Sequence, residues 1–359
     1  MNFYRDTRAT VDLDHLLYNI DVIYKKSQKP LMAVLKANAY GHGDQAVASV
    51  LENHLAIAMY GLATIKEAID LRIAGMKKEM LVIGPTRWED AKYAAIYNVA
   101  LTAYSMDYIQ ALVKEKFTKP LKLHIKLDTG MNRIGLRTRE ELEEALRLIK
   151  QNKMLKVTGI FTHFGASEEE NDTYAQQLQR FKTMIDGYSF EYVHADNSAG
   201  TMYRHDDFTN LDRLGIGMYG VDPKGRENSE LKPVMMLSTT VLMVKHIKKG
   251  EKVGYGFTYT AAKDEYVATL PIGYADGFIR KNQGRKVYIN GKNYQIIGRV
   301  CMDQMMVRVD ETVQVGDLVE IFGPHLSIVK MAKELETIPY EIMCLLTDRV
   351  ERRYEKIEE

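Results

Sequence analysis

Short apolar runs recur through the first 220 residues with helical patterns between most of them, and this alternation constrains the fold most. Strands are predicted near 31–36, 57–62, 80–84, 99–103, 121–127, 157–162, 192–195 and 212–218. Between them, "ATIKEAIDLRIAG" (Ala63–Gly75) carries apolar residues at helical spacing, and Gly75 suits a C-terminal cap. "TREELEEALRLIKQN" (Thr138–Asn152) opens with Thr138 and Glu141 at capping-box spacing. Eight strands alternating with helices point to an α/β fold of the (β/α)8 barrel type. An open doubly wound sheet fits the same alternation, because the pattern does not show closure.

After about residue 225 the texture changes. "GRENSELKP" (Gly225–Pro233) reads as a linker, and Val/Ile/Tyr/Thr-rich segments with turn signals follow. "KVYINGKNYQIIG" (Lys286–Gly298) sets Asn290-Gly291 between strand-like runs, a strong hairpin signal. One helix is expected near Ser327–Leu335. The division is therefore a barrel over 1–230 and a mostly β domain over 231–359. The first few residues are free to pack with the second domain.

Bulk properties exclude several function classes. The 49 basic and 48 acidic side chains nearly cancel, so no nucleic-acid or membrane surface is expected. Two cysteines, Cys301 and Cys344, form no metal-binding spacing and fit a reducing compartment. "MNFYRDTRAT" has no apolar signal segment, and "LAIAMYGLA" (Leu55–Ala63) is too short to span a bilayer. A cytoplasmic location is the expectation.

Several stretches carry chemistry. In "AVLKANAYGHG" (Ala33–Gly43) an apolar strand ends on Lys36. Barrel strand ends line the active-site face, where a lysine can form a Schiff base with a carbonyl. From this residue alone, a lysine snorkelling to water is the commoner reading. "GIGMYG" (Gly215–Gly220) matches the dinucleotide fingerprint literally, but Val221, Asp222 and Pro223 follow where a helix should begin. Its glycines instead let backbone N–H groups approach an anion, as barrels do with phosphate after their last strands. In "HADNSAG" (His194–Gly200), Asn197 and Ser198 suit either a helix cap or that phosphate.

"KLHIKLDTGMNRIG" (Lys122–Gly135) alternates Leu123, Ile125 and Leu127 with His124, Lys126 and Asp128. A parallel strand is usually apolar on both faces, so the polar face fits a lumen lined by functional groups. Just beyond, Arg133 offers a planar fork for a carboxylate. His163 ends the sixth strand in "FTHFGAS". Tyr255 in "VGYGFTY", Tyr274 in "PIGYADG" and Met302–Asp303 in "GRVCMDQ" lie in the β domain. Taken singly, each of these is also an ordinary structural residue.

Together the segments resemble the alanine racemase family. "AVLKANAYGHG", "DTGMNRIG", "GYADG" and "GRVCMDQ" match its motifs in order, and the resemblance runs from "ATVDLDHLLYN" to "YEIMC", essentially the whole chain. It implies a pyridoxal 5′-phosphate (PLP) enzyme, of fold type III, that works as a head-to-tail homodimer with shared active sites. Lys36 would hold PLP covalently, and Tyr255 would reach in from the partner's β domain. Tyr40, Ser198 and the backbone of Gly215 and Ile216 would hold the phosphate, with Asn197 beside them. Arg213 would sit against the pyridine nitrogen. Arg133 and the Met302 backbone would take the substrate carboxylate. Tyr274, Arg280 and Asp303 would support the partner-side entrance, and Lys126 falls on the family's carbamylated lysine.

The implied reaction is two-base interconversion of L- and D-alanine, supplying D-alanine for bacterial peptidoglycan. Lys36 would serve the proton of the D-enantiomer and Tyr255 that of the L-enantiomer. Tyrosine, with a pKa near 10 in isolation, needs help to act as a base, and His163 and Arg213 are the candidates. An arginine facing the pyridine nitrogen would leave it unprotonated and so limit side reactions. One position departs from the pattern: Asp348 stands where the family usually has a tyrosine that crowds the substrate side chain. This raises serine as a substrate beside alanine. A racemase of broader specificity on the same scaffold and a non-catalytic PLP carrier are the other readings. The carrier reading gives no role to Tyr255 or Arg133.

Overall fold

The computed structural model describes residues 4–204, 206–227 and 230–357. Eight parallel strands form one sheet: Leu31–Val34, Ile57–Leu62, Glu79–Val82, Ala100–Ala103, Leu121–Lys126, Leu155–Phe161, Tyr192–His194 and Asp212–Leu214. Seven run side by side in chain order, and the eighth pairs with the first, Leu31 opposite Asp212. A parallel bridge between His194 and Leu211 joins the seventh to the approach of the eighth and closes the ring. The structure thus selects the barrel over the open sheet. The helices lie between the strands as the periodicity required.

Local chemistry fixes those helices. Ile65–Ile73 starts at Thr64, whose hydroxyl accepts the Glu67 N–H while Glu67 reaches back to the Thr64 N–H. Gly75, at φ +96°, follows its end, a conformation that disfavours residues with a Cβ. Arg139–Ile149 starts at Thr138, which accepts the Glu141 N–H at 3.2 Å. Here Glu141 reaches one residue further back than a capping box, to the Arg137 N–H at 2.6 Å.

Beyond the barrel lies a nine-stranded sheet. Lys286–Ile289 and Lys292–Ile297 pair through Asn290 (φ +48°) and Gly291 (φ +82°), the two left-handed residues of a tight hairpin turn. The expected helix forms at Ile328–Leu335 with Ser327 as its cap. Residues 228 and 229 of the expected linker lie outside the described residues. The N-terminal strand Arg8–Val11 leaves the barrel altogether. It pairs antiparallel with Met235–Thr240 and parallel with Glu351–Tyr354, so it lies inside the second sheet. Among the described residues no helix is long and apolar enough to cross a membrane.

The two parts meet at one place that matters for the site. The helix Pro339–Cys344, unforeseen in the sequence, packs on the segment that follows the first barrel strand. A Cβ at Gly41 would lie 2.3 Å from the Met343 carbonyl oxygen, and the Tyr40 and Tyr340 rings are 5.7 Å apart.

Candidate active site

Lys36 stands where the first barrel strand stops. The four residues after it, Ala37 to Tyr40, all take left-handed backbone angles (φ 51–55°). For residues with a Cβ this costs roughly 1–2 kcal/mol each, so the surroundings must impose it. The turn is held from several sides. The Ala37 N–H donates to Glu67 Oε1 at 2.9 Å, the Asp44 N–H to Asn38 Oδ1 at 2.9 Å, and the Gly41 N–H to the Ala37 carbonyl at 3.0 Å. The result swings Tyr40 back over the barrel end, where its ring packs against Tyr219 at 4.9 Å.

Tyr40 arrives beside Ser198 and Gly215. The Ser198 hydroxyl accepts the N–H groups of Gly215 (2.9 Å) and Gly217 (3.3 Å). A Cβ on Gly215 would sit 2.7 Å from the Tyr40 hydroxyl and 3.7 Å from Ser198 Oγ. Glycine is therefore what lets these groups converge. Asn197 caps the helix Ser198–Tyr203, accepting the Ala199 and Gly200 N–H groups at 3.1 Å each. Asn197 is thus a helix cap, and Ser198 lies beside Tyr40 and Gly215.

Four cationic side chains converge on the same barrel end. The walls desolvate the Lys36 amine and, with Arg133 nearby, lower its pKa, while Glu67 opposes them. Lys126 is buried, donates to the Leu127 carbonyl at 2.6 Å, and lies over the Phe161 ring. Burial, helped by Arg213 and Arg133, brings its pKa down to about 7. Arg213 is buried, and desolvation lowers its pKa to about 10, still charged at neutral pH. Arg133 lies in an exposed turn after Asn132 (φ +57°). Such a cluster favours anions.

Arg213 also fixes the protons of a histidine chain. Its guanidinium donates to His194 Nδ1 at 2.9 Å, His163 Nδ1 at 3.0 Å, and the carbonyls of Ala195 (2.6 Å) and Thr162 (3.0 Å). Arginine has no acceptor, so both Nδ1 atoms must be unprotonated and both rings carry their proton on Nε2. His194 Nε2–H then donates to His124 Nδ1 at 2.9 Å. Burial, then the Arg213 charge, pushes the pKa of His163 and His194 well below the ordinary value. His163 is thereby a neutral ring with Nε2–H as its donor. The sequence reading did not single out His194 or His124 as site residues. The polar face of Leu121–Lys126 was the signal that marked His124.

The remaining candidates gather elsewhere in the chain. The Tyr274 N–H donates to the Cys301 carbonyl and the Ala275 N–H to the Met302 carbonyl, each at 3.0 Å, which puts "GYADG" beside "GRVCMDQ". Asp303 accepts from Arg349 at 2.8 Å, and Arg280 is close enough to Cys301 to act on its thiol. Tyr255 shares a surface groove with Cys301, Gln304 and Met306. Tyr255, Met302 and Tyr274 are 71%, 53% and 41% exposed, so the β domain presents them outward. Asp348 lines a separate cleft with Asn38, Asp44, Arg352 and Tyr354.

The residues present fit PLP, whose demands are an unprotonated amine, a phosphate cradle and a partner for the ring. Lys36 has the lowered pKa, Tyr40, Ser198 and Gly215 form the cradle, and Arg213 is the adjacent buried donor. The comparisons agree. The model for the alanine racemase N-terminal domain matches residues 11–223, and that for the C-terminal domain matches 234–354. Alanine racemase 1 of Bacillus subtilis is 40% identical, over 98% of this chain and 94% of that protein. The crystal structure of alanine racemase from E. faecalis superposes with a TM-score of 0.94 at 34% identity, covering 99% and 100% of the two chains. A histidine racemase from Leuconostoc mesenteroides superposes with a TM-score of 0.90 at 28% identity, covering 98% and 99%. This chain belongs to the alanine racemase family of PLP-dependent isomerases.

Proposed function

We propose that this chain interconverts L- and D-alanine with PLP held on Lys36, as a homodimer in which Tyr255 of one copy faces Lys36 of the other. D-alanine for peptidoglycan is the product this reading assigns. The observation that carries it is the convergence of Lys36, its basic neighbours Lys126, Arg133 and Arg213, and the Tyr40–Ser198–Gly215 cradle at one barrel end.

Each residue then has a task. Tyr40, Ser198 and the backbone at Gly215–Ile216 hold the phosphate, and Arg133 with the Met302 backbone takes the substrate carboxylate. Bound PLP supplies an electron sink that acidifies the substrate Cα–H. Lys36 removes or returns the proton on one face and Tyr255 on the other. His163, with its proton on Nε2, offers a hydrogen bond that favours the Tyr255 phenolate. Tyr274, Arg280 and Asp303 border the entrance from the partner side. Lys126, partly neutral at pH 7, is suited to take up CO2 as a carbamate, an anion set among Arg133 and Arg213. The test is direct: incubate the protein and PLP with L-alanine and measure both enantiomers. D-alanine should form, and Lys36→Ala should abolish it along with the absorption of lysine-bound cofactor. An active Lys36→Ala would overturn the assignment.

A second reading, acceptance of serine, rests on Asp348. Asp348 lines a cleft with Asn38, Asp44 and Arg352, and Arg352 feels its charge; this reading turns its carboxylate into that cleft. Space beside the substrate β-carbon would then remain open to a hydroxymethyl group. Asp348→Tyr should lower kcat/KM for L-serine about tenfold or more relative to L-alanine. An unchanged ratio contradicts the serine reading.

A further inference from the structure

Glu67 occupies the third position of the helix Ile65–Ile73, where a glutamate ordinarily serves its own helix. One carboxylate oxygen does so. Oε2 accepts the Ala63 N–H at 2.8 Å and the Thr64 N–H at 3.1 Å, at the end of the second barrel strand. The other oxygen does something else. Oε1 accepts the Ala37 N–H at 2.9 Å, from the peptide that joins Lys36 to the left-handed turn.

That N–H has no acceptor within its own turn. The hydrogen bonds of the turn run from Ala39 N–H to the Leu35 carbonyl, from Gly41 N–H to the Ala37 carbonyl, from His42 N–H to the Ala39 carbonyl and from Gly43 N–H to the Asn38 carbonyl. The first N–H groups of any helical turn are left over in this way. Glu67 therefore closes the turn at the residue where it begins, and ties the ends of two neighbouring strands together with one carboxylate. Its charge also lies within reach of the Lys36 amine, which Arg133, Arg213 and the Cys344 thiol face as well.

We propose that Glu67 is a positioning residue for Lys36: its carboxylate bridges the first and second barrel strands, fixes the peptide after Lys36, and sets the direction and basicity of the amine. This rests on Lys36 being the cofactor lysine, the reading given above. Glutamine does not replace it. A carboxylate accepts on both oxygens, whereas an amide would turn its NH2 toward either the Ala37 N–H or the Ala63 and Thr64 N–H groups.

The control is Thr64→Ala, which removes the hydroxyl cap of the same helix and makes no hydrogen bond to the Lys36 turn. Both Glu67→Gln and Thr64→Ala should lower Tm by a few degrees, as lost caps do. Only Glu67→Gln should alter the lysine. In the apoprotein, competitive acetylation of Lys36 read by mass spectrometry across pH should have its midpoint shifted down in Glu67→Gln and unmoved in Thr64→Ala. The loaded Glu67→Gln enzyme should lose about tenfold in kcat with KM little changed, and Thr64→Ala should not. Equal acetylation midpoints in Glu67→Gln and wild type, with kcat lowered no more than in Thr64→Ala, would overturn the proposal. Failure of the cofactor assignment is seen separately, as borohydride reduction of the PLP-treated wild type that leaves Lys36 unmodified.

Discussion

Single residues set the electrostatic logic of the site, and their protonation states follow from what can donate to what. Arg213 has only donors, so His163 and His194 must accept from it, and each is held neutral by burial and by that adjacent charge. Neutral buried histidines make the fold acid-sensitive. His124 is held down to about 3 and His42 to about 4, so the unfolded chain gains protons at these sites before the folded one. Their contribution is full above about 6.5 and is lost as pH falls toward 4 and 3. Asp196 acts in the opposite sense. Burial, then the hydrogen bond with Asp206, raises its pKa to about 8, so between about 4 and 8 the unfolded state loses a proton that the folded state keeps. Stability falls as pH rises through that window. Asp196→Asn removes this dependence: its Tm gain over wild type should grow from pH 5 to pH 8, and a constant gain would contradict the assignment.

At the scale of elements, the decisive piece is the left-handed turn Ala37–Tyr40, because it turns a strand end into a site. Its geometry depends on the close approach of the helix Pro339–Cys344. Gly41→Ala would place a Cβ 2.3 Å from the Met343 carbonyl at a φ of +84°. It should lower stability by about 1–3 kcal/mol and weaken PLP retention, measured as cofactor lost on dialysis. Retention equal to wild type would show that the helix does not support the turn. In this stretch only Asn38 is a residue that readily takes left-handed backbone; Ala37 and Ala39 give no sign of it, and part of the constraint comes from Glu67 and Met343, distant in sequence. The barrel strands were legible for the opposite reason. Several are short runs buried on both faces, such as Leu31–Val34 and Ala100–Ala103, so their signal lies within a few residues. Arg8–Val11 was placed only loosely, because its partners, Met235–Thr240 and Glu351–Tyr354, lie more than 200 residues away. Arg133 and Tyr255 carried weight through the family resemblance; alone, an exposed arginine and a tyrosine in β-rich sequence have many ordinary uses.

The proposed function divides the site between two parts of one chain. The barrel end holds Lys36, its basic neighbours and the Tyr40–Ser198–Gly215 group, and the β domain turns Tyr255, Phe257, Tyr274 and Met302 outward. Such an exposed group of aromatic and methionine side chains is poorly suited to water and well suited to a second copy of the chain. If each active site joins the two halves across a dimer, a chain without the lysine and a chain without the tyrosine should restore each other. The most direct measurement is therefore the alanine racemisation of Lys36→Ala and Tyr255→Phe proteins, each alone and after mixing with subunit exchange. Each alone should lose about 10²-fold or more. In a fully exchanged equal mixture half the dimers pair the two variants, and each such dimer has one intact site of two, so roughly a quarter of wild-type activity should return. A mixture no more active than its parts, although subunit exchange is verified, or a Tyr255→Phe protein as active as wild type, would contradict the account.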